Sequence, residues 1–181
     1  MVLCVSHSSA LSNLVGDLAR EGVVESVDLA AGTARVRLGE LVTGDIPWLS
    51  PRAGKTRVAS PPSVGEQVLV ISPEGRTASA IIVGSLSSDA NPHPTADSST
   101  TIEFEDGARI GYDPVGHRLS IRLPAGAKLT IGAPGGTAWQ GDIDVTGTIT
   151  ATDDVVGAGK SLKDHVHLQV QPGQGVSGKP R

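Results

Sequence analysis

From residue 100 onward the sequence alternates apolar and polar residues in runs too short and too thin to make an interior of their own. Ile102 and Phe104, then Leu119, Ile121 and Leu123, then Leu129 and Ile131, Ile143 and Val145, and Ile149 and Ala151 each supply one strip of small side chains. Alternation with a period of two sends such residues to one face of a strand. Gly or Pro recurs between the runs, and no interval has the pattern of a covering helix. Bulk is missing as well, because Trp48, Phe104, Tyr112 and Trp139 are the only aromatic residues among 181. A sheet with one thin apolar face and nothing to lay over it cannot bury that face. Two solutions exist. One chain can form a second small β-sandwich, or three chains can wind about a common axis, where each strand's inward residues meet their symmetry mates and no sheet edge stays open.

The first half reads differently. Leu11, Leu14, Val15 and Leu18 fall at helical spacing and predict a short helix, with Ser8 or Ser9 as its cap. From Gly22 to Leu86 come five β-like runs, Val23 to Val27, Ala34 to Leu38, Ile46 to Leu49, Gln67 to Ile71 and Ala80 to Val83, separated by Gly and Pro. Five strands in so short a stretch suit a small closed barrel such as the OB-fold. Residues 87–99, rich in Ser, Asp and Pro and without apolar periodicity, read as a linker.

Several function classes are disfavoured at this level. Fifteen basic residues against nineteen acidic ones give a net charge of −4, which has no general attraction for phosphates or anionic lipid. OB-folds that bind single-stranded nucleic acid stack bases on aromatic side chains in a basic groove, and only Trp48 is available here. Neither a nucleic-acid partner nor a small-molecule substrate is expected. A lone Cys4 excludes an internal disulfide or a cysteine zinc cage. No run is long and apolar enough to span a bilayer, and the first residues lack the basic segment of a secretory signal, so export through a signal peptide is not expected.

One ligand-like cluster stands out. His165 and His167 are two residues apart, and in a strand that spacing turns both imidazoles to one face. Two imidazoles cannot complete a structural zinc site. On a three-fold axis, however, the pair becomes six nitrogens about one point, an octahedral set suited to iron(II), nickel or cobalt. Two exposed histidines beside a Gly- and Pro-rich tail is the alternative reading, and a zinc hydrolase with Asp164 as helper is a third. Asp153-Asp154 and the acids Glu103, Glu105 and Asp106 read as solvated surface, and Gly132-Ala-Pro with Gly135-Gly136 reads as a turn. No nucleophile elbow is present. His7, His93 and His117 sit in polar, linker and turn segments and are expected to be unliganded.

Motifs in a fixed order then carry a resemblance over nearly the whole chain. They are Gly22-Val-Val-Glu-Ser-Val-Asp28, Ala34-Arg-Val-Arg-Leu-Gly39, Pro47-Trp48-Leu49 with Arg52-Ala-Gly54, and Pro62-Ser-Val-Gly-Glu-Gln-Val-Leu-Val70. Phe104-Glu-Asp-Gly-Ala108, Leu123-Pro-Ala-Gly-Ala-Lys128, Ala133-Pro-Gly-Gly136, Gly141-Asp142, Ser161-Leu-Lys163, His165-Val-His167 and Val170-Gln-Pro-Gly173 follow. In this order they resemble baseplate assembly protein V, the central spike of contractile phage tails and related contractile bacteriocins. Two departures are visible. Leu168-Gln169 stands where members often carry Gly-Gly, and Val58 and Ala59 stand where tryptophans often precede the Pro-Pro-Ser-Val-Gly-Glu run.

The resemblance implies an all-β homotrimer. Its parts would be an N-terminal helical segment (1–20), an OB-fold barrel that docks on the baseplate hub (21–86), a linker (87–99), an intertwined trimeric β-helix shaft (100–160) and a metal-bound apex (161–181). It implies a non-enzymatic spike at the virion tail tip, assembled in the bacterial host cytoplasm and driven through the target cell envelope when the sheath contracts. His165 and His167 carry over as ligands of one iron ion per trimer, with Lys163 in the same apex segment but not a ligand. The resemblance also allows calcium or chloride in the shaft, wherever polar gaps occur along its axis. A trimeric receptor-binding fibre or adhesin stalk is the alternative that shares this winding.

Overall fold

The computed structural model describes residues 16–166 and residue 173. The helix expected from Leu11 lies outside them except for its end, where residues 16–18 are helical. The chain divides between Leu129 and Thr130 into two units, and the architecture is all-β.

Alternation shapes the first sheet. In β2 (Thr33–Leu38), Ala34, Val36 and Leu38 are buried while Arg35 and Arg37 are exposed. β1 (Ala19–Asp28) pairs antiparallel with β2 on one side and with β5 (Gln67–Ile71) on the other. β3 (Leu41–Val42) and β4 (Ile46–Pro47) both pair with β2, and β6 (Ile81–Leu86) pairs with β5. A parallel bridge from Trp48 to Ile82 closes the circuit, with the Leu49 amide donating to the Ile82 carbonyl at 2.7 Å. Closure through β1, β2, β4, β6 and β5 leaves a barrel, which accounts for all five runs expected from the sequence. β3 is an addition that its two residues could not announce.

The barrel interior is aliphatic: Val24, Ala34, Val36, Leu38, Ile46, Val68, Val70, Ala80 and Ile82 form it, with Val27 and Trp48 packed against it. Each fully buried Val or Ile contributes about 1.5–3 kcal/mol, so this set suffices without large aromatics. Its tightness shows at Gly22, where a Cβ would come within 2.5 Å of Val36 Cγ1 and 2.7 Å of the Arg37 carbonyl oxygen. Only glycine lets β1 cross β2 this closely. β1 also carries a bulge between Val24 and Ser26, which adds the bend a small barrel needs.

Residues 87–99 hold no strand. They are followed by an antiparallel meander of β7 (Thr100–Glu103), β8 (Arg109–Asp113) and β9 (Arg118–Arg122). Asp106 Oδ1 accepts the Ala108 amide in the first turn; Asp113 Oδ1 accepts the Val115 and Gly116 amides in the second, and His117 there takes φ +48°. Ile102, Ile110 and Ile121 lie in one cross-strand row and Tyr112 and Leu119 in the next, all on one face. That face is open: the five side chains are between 38 % (Ile110) and 67 % (Leu119) exposed. The second apolar layer of a one-chain sandwich is absent among the described residues.

In the second unit the chain runs without strands as far as Val155. The alternating residues Leu129, at the end of the first unit, and Ile131, Ile143, Val145 and Ile149, in the second, are 49 % to 71 % exposed. The strands expected at Leu129 to Ile131, Ile143 to Val145 and Ile149 to Ala151 therefore find no partner within the chain among the described residues. Gly136 donating to the Ala133 carbonyl at 2.8 Å marks the turn expected at Ala133-Pro-Gly-Gly136. A peptide backbone must pair its N–H and C=O groups somewhere, and a single copy of this stretch leaves them to water.

Candidate metal centre

Order returns immediately before the two histidines. β10 (Val156–Gly157) and β11 (Lys160–Ser161) pair antiparallel across Ala158 and Gly159, whose φ values of +50° and +76° give the two-residue turn that matches strand twist. The Leu162 amide donates to the Val155 carbonyl at 2.8 Å, extending the hairpin by one pair. Asp154 ties the base: its Oδ1 accepts the amides of Val155 at 2.8 Å and Lys163 at 3.0 Å. These bonds and above all the Ser161 hydroxyl favour the ionised form and lower the Asp154 pKa. A carboxylate held in this way is an anchor and is unsuited to donating a proton near neutrality. Ser161 Oγ accepts the Asp164 amide at 2.8 Å. Hairpin and following turn are thus knit by two side chains, Asp154, expected only as a solvated surface acid, and Ser161, expected only as part of the apex motif. The signal was there in Gly157-Ala-Gly159, a hairpin turn in a region otherwise read only for its alternation.

His165 leaves this turn at the surface. Its Nδ1 lies 2.9 Å from the Leu162 carbonyl oxygen. A carbonyl can only accept, so in the neutral ring Nδ1 carries the proton and Nε2 carries the lone pair. Metal-binding histidines are usually oriented in this way, with the second nitrogen donating to a carbonyl or carboxylate. A cavity of about 340 Å³ adjoins the ring, lined by Val155, Gly157, Lys160, Ser161, Leu162 and His165. His167 lies outside the described residues. Among the described residues no three His, Cys, Asp or Glu side chains converge as a metal-binding group. One chain therefore offers His165 in a fitting tautomer and no further ligand among those residues.

His93, Glu103 and Asp106 have local roles, and His7 lies outside the described residues. His93 Nδ1 lies 2.7 Å from the Thr95 carbonyl, Glu103 pairs with Arg109, and Asp106 holds a turn. Trp48 is partly buried and packs against the barrel core. No helix among the described residues is long and apolar enough to cross a membrane.

Comparison with known proteins bears on the barrel and on more of the chain than the barrel. Residues 20–86 match the injector OB domain of type VI secretion systems and phage baseplates. The spike protein of Escherichia phage P2 is 33 % identical over 153 residues, which is 84 % of this chain and 66 % of that protein. The chain belongs to the phage baseplate spike family. The family's OB segment begins one residue into β1 and ends on the last residue of β6, so it coincides with the closed barrel. The chain spans about two thirds of the length of its P2 relative, and the alignment is too long to be confined to the barrel.

Proposed function

We propose that this chain is the subunit of a homotrimeric central spike, carried at the tail-tip baseplate of a contractile phage or related injection particle and pushed through the target cell envelope on sheath contraction. The observation that carries the proposal is the stretch from Leu129 to Ile149: apolar residues at alternate positions, all exposed, on a backbone without strand partners among the described residues. Three copies wound together supply each strand with two neighbours and each apolar strip with two others. Stiffness follows, since pulling out one chain breaks hydrogen-bond ladders with both others at once. The open face of the β7–β9 meander, with Ile102, Ile110, Tyr112, Leu119 and Ile121, is buried by the same association. In this reading the barrel docks on the baseplate hub, and the particle is assembled in the bacterial host cytoplasm. The role is mechanical, with no catalysis and no nucleic acid.

At the apex, His165 and His167 of three chains offer six imidazole nitrogens to one iron ion, and the hydrogen bond from His165 Nδ1 to Leu162 supports Nε2 as its donor atom. Bound there, the ion ties together three chain ends that would otherwise fray. Calcium or chloride would occupy polar gaps along the shaft. Native mass spectrometry with elemental analysis tests the whole reading: the expected result is three chains and one transition-metal ion per particle. A folded monomer at micromolar concentration overturns it.

A further inference from the structure

The face of the β7–β9 meander opposite its apolar one has a composition that a solvated surface does not require. Across the strands run a row of Glu103, Arg109 and Arg122, a row of Thr101, Gly111 and Ser120, and a pair of Asp113 and Arg118. The middle row is short. At Gly111 a Cβ would meet Thr101 Oγ1 at 3.0 Å and the Thr100 carbonyl oxygen at 3.3 Å, so the floor is as low there as a sheet allows. Longer side chains stand on both sides, and residues 94–99 pass beside it. The result is a trough of about 250 Å³ with hydroxyls in its floor and Arg109, Arg118 and Arg122 in its walls.

Counted with Glu103, the carboxylates of Asp97 and Asp113 equal the three arginines in charge, but their pairing is uneven. Arg109 and Arg122 are direct cross-strand neighbours, an arrangement that destabilises a sheet when nothing lies between the two cations. Arg109 is engaged by Glu103, whereas among the described residues no ion pair involves Arg118 or Arg122. Two carboxylates line the trough, and each is already used. Asp113 Oδ1 accepts two turn amides, and Asp97 accepts the Thr95 hydroxyl at 2.7 Å and the Ser99 amide at 2.8 Å. Those bonds lower the Asp97 pKa to about 2, so it stays an anion and fixes the segment beside the trough instead of swinging in to neutralise Arg122. What remains are the guanidinium donors of Arg118 and Arg122, in no ion pair among the described residues, beside two hydroxyl donors.

We infer that the trough is an oxyanion site, which takes a phosphate-type group between Arg122 and Arg109 with the Ser120 and Thr101 hydroxyls donating from the floor. Arginine suits this role because its planar fork donates two parallel hydrogen bonds to a tetrahedral oxyanion, and Arg109 has five donors, enough to keep Glu103 and serve the ligand. The trough is larger than one phosphate group, which leaves room for a phosphomonoester or a lipid phosphate. All its residues belong to one chain, so the inference does not depend on the trimer.

The test uses the full chain and calorimetric titration with inorganic phosphate at low ionic strength. Saturable binding is expected, weakened about tenfold or more in Arg122→Gln, the scale of one lost charge-assisted hydrogen-bond pair. Arg76→Gln, which removes an exposed arginine paired with Glu74, is expected to leave it unchanged. Circular dichroism and the tryptophan emission of Arg122→Gln should match the parent, because that change relieves a repulsion. A second arm measures co-sedimentation with phosphatidylglycerol vesicles against phosphatidylcholine vesicles. Arg122-dependent capture by the former identifies a lipid phosphate as the source, and phosphate binding without capture identifies a free phosphate. Absence of saturable phosphate binding, or equal weakening in Arg122→Gln and Arg76→Gln, overturns the inference.

Discussion

Thr43 is a buried polar residue in the barrel, 1 % exposed, and its hydroxyl replaces a missing strand. The Val24 amide and carbonyl bond to Glu66 and Gly65, on the side of β1 away from β2, so Val24 and Val36 face each other as a non-hydrogen-bonded pair. Val36 must therefore find partners on its other side. Its carbonyl accepts the Thr43 amide at 2.9 Å, and its own amide donates to Thr43 Oγ1 at 3.0 Å, while that hydroxyl donates to the Gly44 carbonyl at 2.8 Å. Thr43→Val keeps the shape and removes the acceptor, leaving the amide of the fully buried Val36 without a partner. Such a group costs about 1–3 kcal/mol. With an m-value of about 1–1.5 kcal/mol per molar for a unit this small, the urea midpoint falls by roughly 0.7–3 M. Fluorescence of Trp48, which packs on the barrel core, reports the transition in a Trp139→Phe background that removes the other tryptophan. Amide hydrogen exchange at Val36 gives the local readout and should accelerate. An unchanged midpoint together with unchanged protection at Val36 would refute the assignment of the hydroxyl as a surrogate strand.

Gly22→Ala forces a methyl against Val36 and the Arg37 carbonyl and is expected to cost about 1–3 kcal/mol, read from the same urea transition. Ile121→Asp sets an unpaired carboxylate on the open meander face; the expected outcome is loss of the trimer in light scattering, with the barrel transition retained. Either His165→Ala or His167→Ala should leave a folded trimer without stoichiometric metal, and one metal ion per three chains in both variants would exclude these ligands. The β10–β11 hairpin should depend on acid: Asp154 has its folded pKa below the ordinary aspartate value, so its contribution is complete above that ordinary value and disappears as pH falls through the lowered one. Amide shifts of Val155 and Lys163 should follow this titration, and in Asp154→Asn they should not.

Much of the barrel could be read directly, since a strand that buries one face writes its alternation into the chain: Ala34, Val36 and Leu38 in β2, and Val68 and Val70 in β5. The ordered family motifs and the His165-Val-His167 spacing are equally properties of the residues alone. Contacts made by a single hydroxyl or carboxylate leave no periodic trace, so the Thr43 surrogate strand, the Asp154 anchor and the Leu162 carbonyl that selects the His165 tautomer appear only when the backbone is folded. The same is true of the facing of Arg109 and Arg122, which are 13 positions apart in the chain and become neighbours only through the register of β8 on β9. Periodicity within a strand is local and belongs to the sequence. Which strands lie side by side depends on turns and closure, and that was decided by the tertiary structure.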